Sequence, residues 1–136
     1  MDAAERPKVL IIDDERVVAD TLVMVFSKSG YDARAAYSAE EALATIPVWL
    51  PQLAIIDVYL PGMNGIDLAI RLKAEYPQCR ISLFSGDPGT GDLVAASGQP
   101  FEVTAKPVSP SEMLAIASRL LAPLPEHDAL PNGTVN

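Results

Sequence analysis

Leu53-Ala54-Ile55-Ile56-Asp57, followed after Val58-Tyr59-Leu60 by Pro61-Gly62-Met63-Asn64-Gly65, sets the architecture of this chain. A short, wholly apolar run ending in two β-branched residues reads as a strand buried on both faces. It stops on a carboxylate, and the Pro-Gly and Asn-Gly steps that follow carry turn chemistry. Beyond them a helix is predicted from about Ile66 to Glu75, stopped near Pro77. Strand, loop and helix in that order form one unit of a parallel α/β sheet.

The same unit recurs on both sides. Upstream, Val9-Leu10-Ile11-Ile12 is a second buried run, and it stops at Asp13-Asp14-Glu15. A helical pattern follows from about Arg16 to Lys28, with Val17, Leu22, Val25 and Phe26 at three- and four-residue spacings, and Gly30 ends it. Tyr31 to Tyr37 alternates weakly, as a strand. Ser38 and Glu41 read as a capping box opening a helix through Ala42, Leu43 and Ile46 that must end near Pro47. Downstream, Arg80 to Phe84 is a strand ending at Ser85. Gly86, Pro88, Gly89 and Gly91 leave room only for a short helix, about Asp92 to Ser97. Phe101 to Ala105 is a last strand, ending at Lys106-Pro107. Ser109 or Ser111 caps a final helix through about Leu121, its apolar side formed by Met113, Leu114, Ile116, Ala117 and Leu120.

Five strand-helix units in about 115 residues predict a flavodoxin-like, doubly wound α/β fold. Its five-stranded parallel sheet has the order 2-1-3-4-5, with helices on both faces. The domain is placed at residues 7–122. The proline-rich, polar stretch 123–136, which holds His127, reads as a disordered tail.

Composition narrows the function. The 136 residues amount to one domain, and with 49% hydrophobic residues they can build an ordinary core. A formal net charge of −8 and no run of Lys or Arg argue against binding a nucleic-acid backbone. The single cysteine, Cys79, excludes an internal disulfide and reads as a small hydrophobe near the start of a strand. The N-terminus lacks the pattern of a secretory signal, and no apolar run approaches the roughly 20 residues of a membrane span. A cytoplasmic location is therefore expected. Trp49, between Pro47 and Pro51, is expected to be a partly exposed packing residue, and Tyr31 and Tyr37 to be structural.

The chemistry lies at the strand ends. In a doubly wound sheet the ligand site sits beyond the carboxyl ends of the strands, where the strand order reverses. The first strand delivers Asp13 and Asp14 there, the third Asp57, the fourth Ser85 and the fifth Lys106. Crowded carboxylates raise one another's pKa unless a cation relieves them. With hard oxygen ligands and no His or Cys beside them, Mg²⁺ fits better than Zn²⁺. A carboxylate beside such a metal can act as a nucleophile and form an acyl phosphate. Lys106 can neutralise a phosphoryl oxygen, and the Ser85 hydroxyl can donate a hydrogen bond to another.

Four pieces together, Val-Leu-Ile-Ile-Asp13-Asp14-Glu, Ile-Ile-Asp57-Val-Tyr-Leu-Pro-Gly-Met-Asn-Gly, Leu-Phe-Ser85-Gly and Ala-Lys106-Pro107, resemble the receiver domain of two-component response regulators. The likeness covers about Lys8 to Leu121. It implies Asp57 as the phospho-acceptor and Asp13 as a direct Mg²⁺ ligand. It implies that Asp14 holds a metal-bound water and that the backbone carbonyl of Tyr59 completes the metal site. Ser85 is implied as the switch hydroxyl, Lys106 as the phosphate-binding lysine, and the peptide between Lys106 and Pro107 as cis. The phosphoryl group is implied to come from a sensor histidine kinase or a histidine phosphotransfer protein. Its arrival would reshape the face formed by the fourth helix, fifth strand and fifth helix to control a downstream protein. Such a chain is a switch rather than a turnover enzyme.

The resemblance has departures. Three residues before the lysine the family usually carries Tyr or Phe, and here the residue is Val103, with Phe101 two positions away. Tyr59 and Asp87, each two residues beyond a site residue, flank the route of an attacking water. Tyr59 could slow hydrolysis by crowding, while Asp87 could repel phosphate or position the water. Two rival readings accompany the switch. One is a non-phosphorylated pseudo-receiver acting only as an interaction module, favoured by Val103. The other is an aspartyl-phosphate phosphatase of the haloacid-dehalogenase type, disfavoured because Glu15 stands where the second Asp is needed and no substrate-capping insertion exists.

Overall fold

The computed structural model describes residues 6–122, so the expected tail and His127 lie outside the described residues. Strands and helices alternate: β1 (Lys8–Ile12), α1 (Arg16–Lys28), β2 (Asp32–Ala36), α2 (Ala39–Thr45), β3 (Leu53–Asp57), α3 (Gly65–Glu75), β4 (Arg80–Ser85), α4 (Thr90–Ala96), β5 (Glu102–Ala105) and α5 (Pro110–Leu121). Every neighbouring pair of strands is parallel, and the order is β2-β1-β3-β4-β5. This is the expected flavodoxin-like arrangement.

Successive side chains of a strand point to opposite faces, so a strand covered on both sides must be apolar at every position. Leu10 and Ile12 of β1 and Ala54 and Ile56 of β3 pack beneath Leu68 and Leu72 of α3. Val9, Ile11, Leu53 and Ile55 face the other way, against Phe26 of α1 and Met113 of α5. All eight strand side chains are fully buried. Burying each Leu, Ile or Val among them stabilises the fold by roughly 1.5–3 kcal/mol.

Several local expectations are refined. Gly30 ends α1 in a left-handed conformation, φ +98°, and the Tyr31 N–H bonds back to the Phe26 carbonyl at 3.1 Å. Ser38 caps α2 by accepting from the Glu41 N–H at 3.1 Å. The returning bond of that capping box lands one residue upstream, because the Glu41 carboxylate accepts from Tyr37 N–H at 3.1 Å. Of the two candidate caps for α5, Ser109 holds the position and forms the full reciprocal box with Glu112. Trp49 is buried, at 7% exposure, not partly exposed as expected. The Arg34 guanidinium lies 4.6 Å and the Lys8 ammonium 6.0 Å from its ring centroid, and these long side chains cover the indole. Cys79 is buried as a small hydrophobe, and burial pushes its thiol up to about 11. Tyr31 packs edge-on to Phe26, while Tyr37 donates to Asp20 and lies under Arg16. Among the described residues no helix is long and apolar enough to cross a membrane.

Candidate phosphoryl-acceptor site

The register of the sheet levels the strand ends. Ile12 pairs with Ile56, Asp57 with Phe84, and Ser85 with Ala105. The residues at or just past those ends, Asp13, Asp57, Ser85 and Lys106, therefore share one edge of the sheet.

Asp13 is completely buried. Its backbone N–H donates to the Ala36 carbonyl at 3.1 Å, extending the β1–β2 ladder by one bond. Oδ1 accepts from the Glu15 N–H at 2.9 Å, but Oδ2 has no hydrogen-bond partner. Burial pushes the Asp13 carboxyl up to about 6; the Glu15 N–H opposes the rise, the Asp57 charge adds to it, and Lys106 opposes it.

Asp57 is 5% exposed. Oδ1 accepts from the Tyr59 N–H at 3.2 Å, and Oδ2 accepts from Lys106 Nζ at 3.2 Å. The backbone behind it is clamped. The Gly65 N–H donates to the Val58 carbonyl at 2.7 Å, and a Cβ on Gly65 would fall 2.3 Å from the Asp57 carbonyl oxygen. The glycine that closes the Pro61–Gly65 loop is thus required by close backbone approach.

Lys106 Nζ also lies 3.6 Å from Asp13 Oδ2 and 3.7 Å from Glu15 Oε1, and 4.8 Å from the Phe84 ring centroid. Burial alone would lower the Lys106 pKa, but the carboxylates of Asp57, Asp13 and Glu15 outweigh it and hold the ammonium above its ordinary value. The Lys106–Pro107 peptide is cis.

Asp13, Asp14 and Asp57 each present a carboxylate oxygen within 4.8 Å of the others. Two of the three are buried, and one buried oxygen is orphaned. A cluster of hard, negatively charged donors with an unsatisfied member fits a hard divalent cation such as Mg²⁺.

Ser85 shares the edge, and its hydroxyl is engaged by residues of the segment that follows β4. Its Oγ lies 2.8 Å from the Thr90 Oγ and accepts from the Asp87 N–H at 3.0 Å. Tyr59 contributes its N–H to Asp57, while its half-exposed ring reaches across to donate to Asp87 Oδ2 at 2.6 Å. Val103 pairs with Leu83 and, with Phe101, packs partly buried against the α3 and α4 side of the sheet. Sequence reasoning missed Glu15 as a neighbour of Lys106, and it missed Thr90. Nothing local marks either one, since each reaches the site only through a turn.

The model of the response regulator receiver domain family matches residues 9–118. Solved structures agree. A putative response regulator from Chloroflexus aurantiacus is 32% identical with a TM-score of 0.77, covering 88% of this chain and all of its own. A CheY-like receiver domain protein from Methanospirillum hungatei is 26% identical with a TM-score of 0.76, covering 85% and 94%. The chemotaxis protein CheY4 of Vibrio cholerae is 26% identical with a TM-score of 0.74, covering 85% and 99%. The chain belongs to the response regulator receiver domain family, whose members work in phosphorylation-dependent two-component signalling.

Proposed function

We propose that this receiver is a phosphoryl-accepting switch in which Asp57 takes the phosphoryl group. The observation that carries this reading is the Lys106 ammonium seated 3.2 Å from Asp57 within a buried carboxylate cluster. The backbone behind Asp57 is held by the close approach of Gly65, while its Oδ2 faces the Lys106 ammonium. Asp13, Asp57 and the Tyr59 backbone carbonyl would hold Mg²⁺, with Asp14 acting through a water. The ion supplies charge neutralisation at the incoming phosphoryl oxygens. Lys106, already beside Asp57, neutralises one of those oxygens, and Ser85 donates to another.

The donor is a phosphohistidine on a sensor kinase or phosphotransfer protein in the cytoplasm. An apolar groove of about 480 Å³ opens beside the site, lined by Val17, Val18, Leu22, Val108 and Pro110 together with Lys106. Val17 is 79% exposed. This groove suits the apolar flank of the donor helix that carries the histidine. Attack of water on the acyl phosphate returns Asp57 to a carboxylate, so the chain resets as a switch rather than turning over a substrate. The output is a change in the α4, β5 and α5 face that a downstream protein reads.

Incubation with acetyl phosphate and Mg²⁺, followed by intact-mass spectrometry, tests the reading. One phosphoryl mass is expected on the native chain and none with EDTA or in Asp57→Asn. Retention of the adduct in Asp57→Asn would overturn it.

A further inference from the structure

Thr90, the first residue of α4, is a completely buried polar residue that the phosphoryl chemistry above does not use. Its hydroxyl lies 2.8 Å from that of Ser85, and its N–H donates to the Asp87 carbonyl at 3.1 Å. Asp87 in turn donates its N–H to Ser85 Oγ and accepts the Tyr59 hydroxyl on its carboxylate. Ser85, Asp87 and Thr90 thus form a closed hydrogen-bonded ring, and Tyr59 is tied to it through the Asp87 carboxylate.

Counting protons in this group shows what phosphorylation must change. The Tyr59 proton is committed to the Asp87 carboxylate, which can only accept. Ser85 Oγ already accepts the Asp87 N–H, and it has a single proton to give. In the structure Thr90 Oγ is in reach of that proton. After transfer, a phosphoryl oxygen on Asp57 competes for it, and a charged acceptor makes the stronger bond. Thr90 is buried, so its oxygen cannot turn to water for a replacement. Before transfer either hydroxyl of the pair can donate; afterwards the arrangement that leaves no buried group orphaned is the one in which Thr90 gives its own proton to Ser85 Oγ.

We propose that Thr90 is a positioning residue whose hydroxyl is fixed as the donor to Ser85 when Ser85 engages the phosphoryl group, carrying the state of Asp57 to the first turn of α4. This inference rests on the phospho-acceptor reading. It supplies a route to α4 that does not pass through β5, where Val103 has no hydrogen-bonding side chain.

The test uses the full chain, with beryllofluoride and Mg²⁺ standing in for the phosphoryl group. Thr90→Val keeps the shape and removes the hydroxyl, and Thr90→Ser keeps the hydroxyl. The readout is the NMR signals of the Leu93 and Val94 amides in α4, together with beryllofluoride binding followed by ¹⁹F NMR. Wild type and Thr90→Ser are expected to bind beryllofluoride and shift the α4 signals. Thr90→Val is expected to bind beryllofluoride but lose that shift. If Thr90→Val binds and shifts α4 as wild type does, the relay is wrong although the phospho-acceptor reading stands. If Thr90→Val does not fold, Thr90→Ser decides alone, because its failure to shift α4 while binding beryllofluoride would also overturn the relay. If wild type does not bind beryllofluoride, the phospho-acceptor reading itself fails, and the relay falls with it.

Discussion

The Tyr59 hydroxyl donates a 2.6 Å hydrogen bond to Oδ2 of Asp87, joining the loop after β3 to the loop after β4 beside the proposed acceptor site. The bond holds the Asp87 carboxyl below its ordinary range, with the Gly89 N–H assisting, and pushes the Tyr59 hydroxyl above its own. In Tyr59→Phe the Asp87 carboxyl is expected to titrate higher, toward the ordinary 3.8. Carbon-detected NMR titration reads this directly. With the bridge open, water reaches Asp57 more freely, so the acyl phosphate is expected to decay several-fold faster. An unchanged decay rate would remove the bridge as a barrier to water.

Gly65 and Asp57 are in backbone contact. A methyl group at Gly65 would fall 2.3 Å from the Asp57 carbonyl oxygen and 2.7 Å from the Val58 Cα. The obstructing atoms are backbone and cannot swing aside. Gly65→Ala is expected to lower stability by about 1–3 kcal/mol, the usual scale of overpacking, and to slow phosphorylation by displacing the acceptor. Urea unfolding measures the first effect. A variant as stable as wild type would mean that the loop has room the structure denies it.

Asp13 is a buried carboxylate with an orphaned oxygen, and burial disfavours its charged form. An amide at this position keeps an acceptor for the Glu15 N–H and offers a donor to the neighbouring Asp57 oxygens. Asp13→Asn is therefore expected to be more stable than wild type in EDTA, by about 1–3 kcal/mol, the scale of an unsatisfied buried group. It is also expected to lose most of the stabilisation that Mg²⁺ gives the native chain. Thermal melts with and without Mg²⁺ check both. A less stable variant in EDTA would show that the Lys106 contact outweighs burial.

Val17 stands 79% exposed at the groove beside Lys106. Val17→Asp adds a charge to an apolar lining without touching the acceptor. Phosphotransfer from a phosphohistidine protein is expected to slow at least tenfold, corresponding to roughly 1.4 kcal/mol. Phosphorylation by acetyl phosphate, which needs no docking surface, is expected to be unchanged. Equal slowing with both donors would place the defect in the site instead.

Much of this could be read from the chain alone, for a physical reason. β1 and β3 are apolar at nearly every position because both of their faces are covered, and that pattern survives in one dimension. Asp13, Asp57, Ser85 and Lys106 were legible because strand ends in a parallel sheet share one edge, so fixing the strands also fixes the meeting point. What escaped depends on side chains folding back. Trp49 lies between two prolines and looks exposed until Arg34 and Lys8 cover it. Thr90 sits in a glycine-rich stretch where a helix start beyond Gly91 was expected, and the helix begins two residues earlier, which brings its hydroxyl to Ser85. Tyr59 and Asp87 were singled out together as flanking the route of an attacking water, but their hydrogen bond was not legible, because no sequence spacing shows that two loops touch.

Borohydride reduction after incubation with acetyl phosphate and Mg²⁺, followed by peptide mapping, tests the assignment of Asp57 most directly. Borohydride converts an aspartyl phosphate to homoserine and leaves a free carboxylate alone. Homoserine at position 57 alone, absent when EDTA replaces Mg²⁺, is the expected result. Homoserine at Asp13 or Asp14, or an unaltered residue 57 in a chain shown to carry the phosphoryl mass, would contradict it.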